Sequence, residues 1–336
     1  MSTRPMRVLV TGGAGYIGSV VAGELLQAGH EVLVFDNLSR GYCQAVPKNA
    51  DLVVGDLADR AGLDQLFRSH TIDAVMHFAA LIEAGESMKA PESFFRNNTA
   101  NALTLFDAML AAGVKRLVFS STAALFGNPE RTPIEEEDPV HPTNAYGESK
   151  LQVERMLVWF HQIHGLRYAS LRYFNAAGAA SSDQGEAHQP ETHLIPRILQ
   201  VALGRSQHVN IFGADYPTSD GTCVRDYIHV SDLARAHLLA LHALENGRES
   251  SSPLIYNLGN GQGFSVRKVV EVAREVTGHP IPVIESPRRL GDPAVLIASS
   301  EKIRRDLGWQ PRFPDLKTIV QSAWQWHRTH PDGYAT

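Results

Sequence analysis

The sequence predicts an α/β protein built on a doubly wound parallel sheet, followed by a smaller α/β region. Three observations carry this. Short β-branched runs alternate with helix-length runs for the first 173 residues. A glycine loop, Thr11-Gly12-Gly13-Ala14-Gly15-Tyr16-Ile17-Gly18, follows the first such run directly and opens a helical pattern. The second run ends in an acid, Asp36, about 18 residues past the last glycine of that loop. Together they read as a Rossmann-type, dinucleotide-binding unit.

Taken in order, Arg7-Val8-Leu9-Val10 is a buried strand. The helix after the glycine loop runs to Ala28, with Gly29 as its stop. Glu31 to Phe35 is the second strand, ending at Asp36. Leu52-Val53-Val54 is a third, 60–69 a helix, and Ala74 to Phe78 a fourth strand. Residues 92–112 read as one long helix closed by Gly113, and Lys115 to Ser121 as a strand. A helix over 144–164 starts at Asn144, a good N-cap, and stops at Gly165. Tyr168 to Tyr173 is the next strand. Residues 179–193 lack a period and read as a connector or a loop over the site. Helices near 194–203, 231–245, 265–277, 299–307 and 315–329 then mix with strands near 208–212, 254–258 and 281–285.

Each glycine of the loop has a task. Gly12 permits the turn, Gly15 lets a pyrophosphate approach bare backbone at a helix N-terminus, and Gly18 lets helix and strand pack closely. Asp36 would accept from the adenine-side ribose hydroxyls and repel a 2′-phosphate, which argues for NAD over NADP; Arg40 stands nearby.

Composition excludes several classes. The chain has 336 residues, 43% apolar and 20% charged, with net charge −5. That is globular, and offers neither nucleic acid nor a membrane surface a basic face. Two cysteines, Cys43 and Cys223, make neither a disulfide framework nor a zinc spacing. Fifteen histidines invite a metal, yet no His-Glu-x-x-His occurs, so no metal site is expected. The N-terminal apolar run stops at Thr11-Gly12, unlike a signal peptide, and no stretch has the length of a membrane span. A cytoplasmic setting is expected.

The chemistry centres on Tyr146-Gly147-Glu148-Ser149-Lys150. At i and i+4 on a helix, Tyr146 and Lys150 share one face. An ammonium held against a phenol favours the phenolate, so such a tyrosine can move protons to and from an alcohol near neutral pH.

With these residues in place, the chain resembles the extended short-chain dehydrogenase/reductase superfamily, and within it the UDP-glucose (UDP-galactose) 4-epimerases. The resemblance runs nearly end to end. It rests on the glycine loop, His77-Phe78-Ala79-Ala80, Gly85-Glu86-Ser87, Ser120-Ser121-Thr122, Tyr146-x-x-x-Lys150, Arg172-Tyr173-Phe174-Asn175, Tyr216-Pro217-Thr218 with Asp220-Gly221-Thr222, and Val224-Arg225-Asp226-Tyr227-Ile228-His229-Val230.

The resemblance implies roles residue by residue. Tyr146 is the acid/base, Lys150 tunes it and binds the nicotinamide ribose, and Thr122 hydrogen-bonds the reacting hydroxyl. Gly12, Gly15, Tyr16, Ile17, Gly18, Asp36, Asn37, Asp56, Leu57, Phe78, Ala79, Ala80, Asn98, Ser120 and Tyr173 complete the NAD site. Asn175, His193, Leu194, Phe212, Arg225, Tyr227, Arg289, Asp292 and Leu296 contact the UDP-sugar. Arginine suits a diphosphate independently of any family, because its guanidinium forks match phosphate oxygens. The implied division is an NAD-binding domain over 1–178 and a UDP-sugar-binding region over 179–336, with some elements returning to the first. Ile82 falls where many relatives have lysine, His193 where others have asparagine, Asn101-Ala102 where Gly-Thr is frequent, and Cys223 where glycine is frequent.

The implied reaction interconverts UDP-glucose and UDP-galactose. Hydride leaves the sugar's C4 for NAD⁺, the 4-keto sugar turns over, and hydride returns to the other face while Tyr146 carries the proton. A 4,6-dehydratase on this fold would need an acid/base pair after Thr122, and Ala123-Ala124 supply none. A 4-epimerase of another nucleotide sugar, such as a UDP-uronic acid, and a non-enzymatic NAD sensor are the alternatives. Leu296 stands where a tyrosine would narrow the pocket, so N-acetylated UDP-hexoses are expected substrates too. A homodimer is expected, paired through the helices near 92–112 and 144–164.

Overall fold

The computed structural model describes residues 4–245, 252–289 and 291–334. The chain opens with β1 (Arg7–Thr11), α1 (Tyr16–Gln27), β2 (Glu31–Asp36), β3 (Asp51–Val54), α2 (Arg60–Ser69) and β4 (Ala74–His77). Two one-turn helices, α3 (Ala84–Ser87) and α4 (Pro91–Phe94), lead through a wide π-type turn over Phe95–Ala100 into α5 (Asn101–Ala111). β5 (Arg116–Thr122), α6 (Ala145–His164), β6 (Arg167–Tyr173) and β7 (Asn175–Ala177) follow. Next come α7 (Leu194–Ala202), β8 (Val209–Phe212), β9 (Val224–Arg225), β10 (Tyr227–His229), α8 (Val230–Glu245) and β11 (Leu254–Leu258). The chain ends with β12 (Phe264–Ser265), α9 (Val266–Thr277), β13 (Val283–Ser286), β14 (Val295–Leu296), α10 (Glu301–Leu307) and α11 (Leu316–Thr329).

Contacts divide these elements into two interleaved units. The first takes residues up to Leu125, Pro142–Arg172 and Ala234–Tyr256; the second takes Phe126–His141, Tyr173–Leu233 and residues from Asn257 on.

The first unit is organised on a seven-stranded sheet in the order β3-β2-β1-β4-β5-β6-β11. β1 pairs in parallel with β2 (Val8↔Val32) and with β4 (Val8↔Ala74), β2 with β3, and β4 with β5. Apart from Arg7, every β1 residue is buried, as a central parallel strand covered on both faces requires. One core packs Leu63 and Leu66 of α2, Leu105, Phe106 and Met109 of α5, and Val153 and Leu157 of α6 with Leu9, Leu33, Val75, Leu117 and Phe119 of the sheet. The order reverses between β1 and β4, so a crevice for a ligand forms at the carboxyl end of β1, where the glycine loop lies.

The helix predicted over 92–112 is present and helical throughout, with a wide π-type stretch over Phe95–Ala100 inside it. Asn98 and Thr99 turn inward to bond Ser149 of α6, and the backbone widens by one turn to let them. The helix predicted over 144–164 is continuous. Asn144 Oδ1 accepts from Gly147 N at 2.8 Å, and Gly165 closes it at φ 67°.

The second unit is built from small pieces. β13 pairs in parallel with β8, β10 with β7, and β9 lies between β12 and β14. Its core brings together Ile195, Ile198 and Leu199 of α7, Val269, Val270 and Ala273 of α9, and Ile319, Val320 and Ala323 of α11. Asp226, fully buried between β9 and β10, accepts from the backbone N–H of Asn260, Gly261 and Ala298 at 2.8, 3.0 and 3.1 Å. Burial raises its pKa to about 6 against those donors. The two- and three-residue strands were not expected from the sequence, because a period cannot show in so few residues.

Candidate active site

In the first unit the glycine loop bends back from β1. Gly12 sits at φ 73°, and a Cβ there would come within 2.5 Å of Ala79 N; one on Gly18 would lie 2.3 Å from Gly12 O. Those two glycines are demanded by the fold. Gly15 is not: a Cβ there meets only Gly12 O, at 3.3 Å. Gly15 is the N-cap of α1, and no side chain caps that helix. Open space therefore lies above uncapped backbone N–H groups, the cradle an anion such as a pyrophosphate needs. Tyr16 is buried and Ile17 half-buried in the first turn.

Asp36 closes β2, and its carboxylate accepts from Ala14 N at 3.0 Å and Leu38 N at 2.8 Å. Burial raises its pKa, opposed by those two donors. A carboxylate offers about four lone-pair positions, so capacity remains for ribose hydroxyls. Asn37 donates to Asp56 Oδ2 at 2.8 Å, Asp56 also accepts from Ala58 N, and Leu57 is buried beside them. Arg40 lies 3.5 Å from Glu83, in an ion pair that engages the cation nearest in sequence to Asp36 and Asn37. Phe78 and Ala79 donate backbone N–H bonds to Thr11 O, which ties the end of β4 and Ala80 to the loop.

Asn98 is held by protein groups through its whole side-chain amide. Its Oδ1 accepts from Leu81 N and Asn97 Nδ2, and its Nδ2 donates to Leu81 O and Ser149 Oγ. Both donors and both lone pairs are used by protein, so Asn98 positions the segment after β4 and has no spare polar valence.

Thr122, Tyr146 and Lys150 come together at the ends of β5 and α6. Tyr146 shares a side-chain hydrogen bond with Thr122. Burial raises the phenol's pKa, Thr122 lowers it, and the charge of Glu83 raises it again. Lys150 is 2% exposed, and its Nζ donates to Ser120 O at 2.9 Å and lies 4.9 Å from the Phe119 ring centre. Burial lowers its pKa to about 7. The two side chains share one face of α6, as the spacing requires. Thr122 is the group that aids ionisation among the described side chains. Behind them His77, stacked on Phe119 and bonded to Thr11 Oγ1, is held neutral by burial, its pKa lowered to about 3.

The sequence reading missed the support of this constellation. Glu154 of α6 and Arg172 of β6, each side chain 7% exposed, form a two-point ion pair with N–O distances of 3.0 and 2.6 Å. Ser121 Oγ donates to Glu154 at 2.6 Å. Breaking one partner of such a buried pair costs about 3–5 kcal/mol. Its signal was Glu154 four residues past Lys150, on the same face.

In the second unit the implied UDP residues also converge. Asp292 is gripped by two guanidiniums: Arg225 Nη2 bonds its Oδ1, and Arg289 Nε and Nη2 bond its Oδ2 at 3.2 and 2.9 Å. Two cations share one anion, leaving a net positive clamp. Arg225 faces Leu296 across β9 and β14, and Asn175 faces Tyr227 across β7 and β10. Arg289 also lies 5.1 Å over the ring of Phe212. Asn175 Nδ2 donates to Asp226 O at 3.2 Å, and burial raises the pKa of Tyr227. Tyr173 ends β6, and Leu194 opens α7 directly after His193, its N-cap. Around His193 the structure gathers Glu186, His188 and Glu191, four ligand-type atoms within 4.8 Å of one another. The spacing Glu186-x-His188-x-x-Glu191-x-His193 lies inside the connector, where no helical period marks it as one site.

A switch-point glycine cradle, an acid at the end of β2 and a Thr/Tyr/Lys constellation define a Rossmann-type protein of the short-chain dehydrogenase/reductase class. The chain belongs to the NAD dependent epimerase/dehydratase family, whose model matches residues 8–259, and within it to the UDP-glucose 4-epimerases. It is 54% identical over 332 residues to the UDP-glucose 4-epimerase of Halalkalibacterium halodurans, covering 98% of each chain. A crystal structure of a UDP-glucose 4-epimerase superposes with a TM-score of 0.95 at 49% identity, covering 98% of this chain and 100% of that one. That of the Brucella ovis enzyme in complex with NAD gives 0.90 at 44% identity, covering 95% and 97%.

Proposed function

We propose that the chain interconverts UDP-glucose and UDP-galactose with a bound NAD. The observation that carries this is the Thr122–Tyr146–Lys150 constellation on the unit with the glycine cradle, in a chain whose relatives of about half identity bear that enzyme name. NAD, when bound, supplies hydride acceptance and return at the sugar's C4. The protein's own residues do the rest. Tyr146 takes the proton from the 4-hydroxyl and gives it back. Thr122 orients that hydroxyl and supports the phenolate. Lys150, fixed by Ser120 O, is placed for a ribose hydroxyl. Arg225 and Arg289 hold the diphosphate by charge and by the N–H groups that Asp292 does not take, so the sugar can turn while its UDP stays anchored. Ala123 and Ala124 after Thr122 supply no acid/base pair for eliminating water.

Three finer points belong to the same reading. Leu296, half-buried on β14, offers no ring to close the pocket, so N-acetylated UDP-hexoses are accepted. The working form is a homodimer. Its place is the cytoplasm; among the described residues no helix is long and apolar enough to cross a membrane.

The test is turnover without added nicotinamide. Purified protein should convert UDP-galactose to UDP-glucose and release NAD on denaturation. UDP-N-acetylgalactosamine should give a kcat/KM within about 100-fold of UDP-galactose. Recovery of NADP alone would sink the Asp36 argument, and a preference of several orders of magnitude against the acetylated sugar would sink the Leu296 one.

A further inference from the structure

The cluster around His193 has a chemistry of its own. Glu186 and Glu191 have side chains only 4% and 5% exposed, while those of His188 and His193 are 19% and 43% exposed. Two buried carboxylates this close must be neutralised, either by protons on the imidazoles or by a bound cation. The contacts favour protons. Nδ1 of His193 is in hydrogen-bond contact with Glu186 Oε1, and Nδ1 of His188 is 3.2 Å from that same oxygen. Donors around one metal ion stand apart across it, whereas these rings both address one carboxylate oxygen directly.

The frame is rigid. Trp326, fully buried on α11, donates its Nε1–H to Glu186 O at 2.9 Å. Gly185 packs so tightly under that indole that a Cβ would come within 2.3 Å of it, and Tyr334 OH bridges Gly185 N and O at 3.2 Å. Glu191 Oε1 accepts from the N–H of Thr192 and of His193, both at 2.8 Å, which fixes the backbone of His193 as well. The ring of His193 is therefore set at Nδ1 and at its Cα. The carbon edge and Nε2 remain for the 43% of the side chain that meets solvent. His193 is also the N-cap of α7, a nine-residue helix that no side chain caps.

We propose that Glu186 is a positioning residue for substrate binding: by holding Nδ1 of His193 it turns Nε2–H outward as a cationic donor for the diphosphate of the nucleotide sugar. This rests on the UDP-sugar reading given above. His188 completes the charge balance by sharing Oε1 of Glu186 with His193 and facing Glu191 at 3.8 Å. The groups acting on His193 are Glu186, His188 and Glu191; Glu186 and Glu191 also act on His327 from α11, and His330 acts on His327. Burial disfavours the His193 cation, but Glu186 outweighs it, and the ring's pKa moves up.

The experiment uses the NAD-loaded full chain. KM and kcat for UDP-galactose are measured from pH 6 to 9 in wild type, Glu186→Gln and Glu186→Asp. Losing one charge-assisted hydrogen bond should raise KM about tenfold in Glu186→Gln with kcat within about twofold, and Glu186→Asp should recover most of it. The rise of KM with pH should begin lower in Glu186→Gln than in wild type. Imidazole NMR of the wild type, assigned with His193→Asn, should show a His193 protonated at Nδ1 that titrates above 6.5, which stands even where Glu186→Gln does not fold. An unchanged KM profile in folded Glu186→Gln, or a wild-type His193 titrating below 6.5, overturns the proposal. So does one equivalent of Zn²⁺ retained through dialysis and lost in Glu186→Gln, which would make the cluster a cation site. If the wild type turns over UDP-galactose, these outcomes touch only this inference; if it does not, the reaction itself was misread.

Discussion

Tyr146 lies where burial and Glu83 hold its proton on and Thr122 helps it leave. The sequence implied Thr122 as a partner of the reacting hydroxyl, not of the phenol; the strength of burial depends on side chains brought from α4 and β5, such as Phe94 against the Tyr146 ring. The His188 network shows the same contrast. Burial alone would lower the pKa of His188, but hydrogen bonding and charge from Glu186 and Glu191 raise it from 6.5 to about 10. A raised folded pKa means the stabilisation is complete below about 6.5 and declines as pH rises toward 10. Glu186 moves the other way: its pKa is lowered, so its share is lost as pH falls below 4.5. Urea midpoints at pH 6, 8 and 10 should fall steadily in wild type and less steeply in His188→Gln. Parallel declines in the two proteins would show that His188 carries none of the alkaline loss. The residue types and spacing of this cluster were legible. Its convergence was not, because it depends on Trp326 and Tyr334, some 140 residues downstream.

At the scale of elements, helix α6 was readable from both caps and its tyrosine, since capping is local chemistry. The π-type stretch between α4 and α5 was not, because a local widening leaves the hydrophobic period almost intact while moving Asn98 inward. Gly147 tests how closely α6 must approach the turn that follows β5. Helix propensity alone says alanine should gain about 1 kcal/mol there. Sterics say otherwise, because a Cβ would stand 2.6 Å from Ala124 O, a backbone atom that cannot swing aside. Overpacking costs about 1–3 kcal/mol, so the balance favours loss. Gly147→Ala should lower the melting temperature and lower kcat through displacement of Tyr146. A variant melting at or above wild type would show that the helix has room to move.

At the scale of the molecule, the doubly wound sheet was legible because alternation and the glycine fingerprint both dictate it. Strand pairing in the second unit was not, since strands of two or three residues exist only through their neighbours. The first unit also leaves a face bare. Trp159 and Ile163 of α6, one turn apart, are 62% and 67% exposed, and Leu103 of α5 is 40% exposed. Apolar side chains at that spacing are what an isologous helix pairing buries. Light scattering at micromolar concentration should give a dimer, and Trp159→Glu should shift it toward monomer; a wild type that is monomeric throughout would contradict the pairing. The central claim is that Tyr146 moves the proton of an epimerisation carried out on a bound NAD. It is tested most directly by UDP-galactose turnover in Tyr146→Phe, with NAD content and melting temperature measured on the same sample. The account predicts a kcat lower by about 10²–10⁴-fold with cofactor and fold retained. Turnover near the wild-type rate would contradict it.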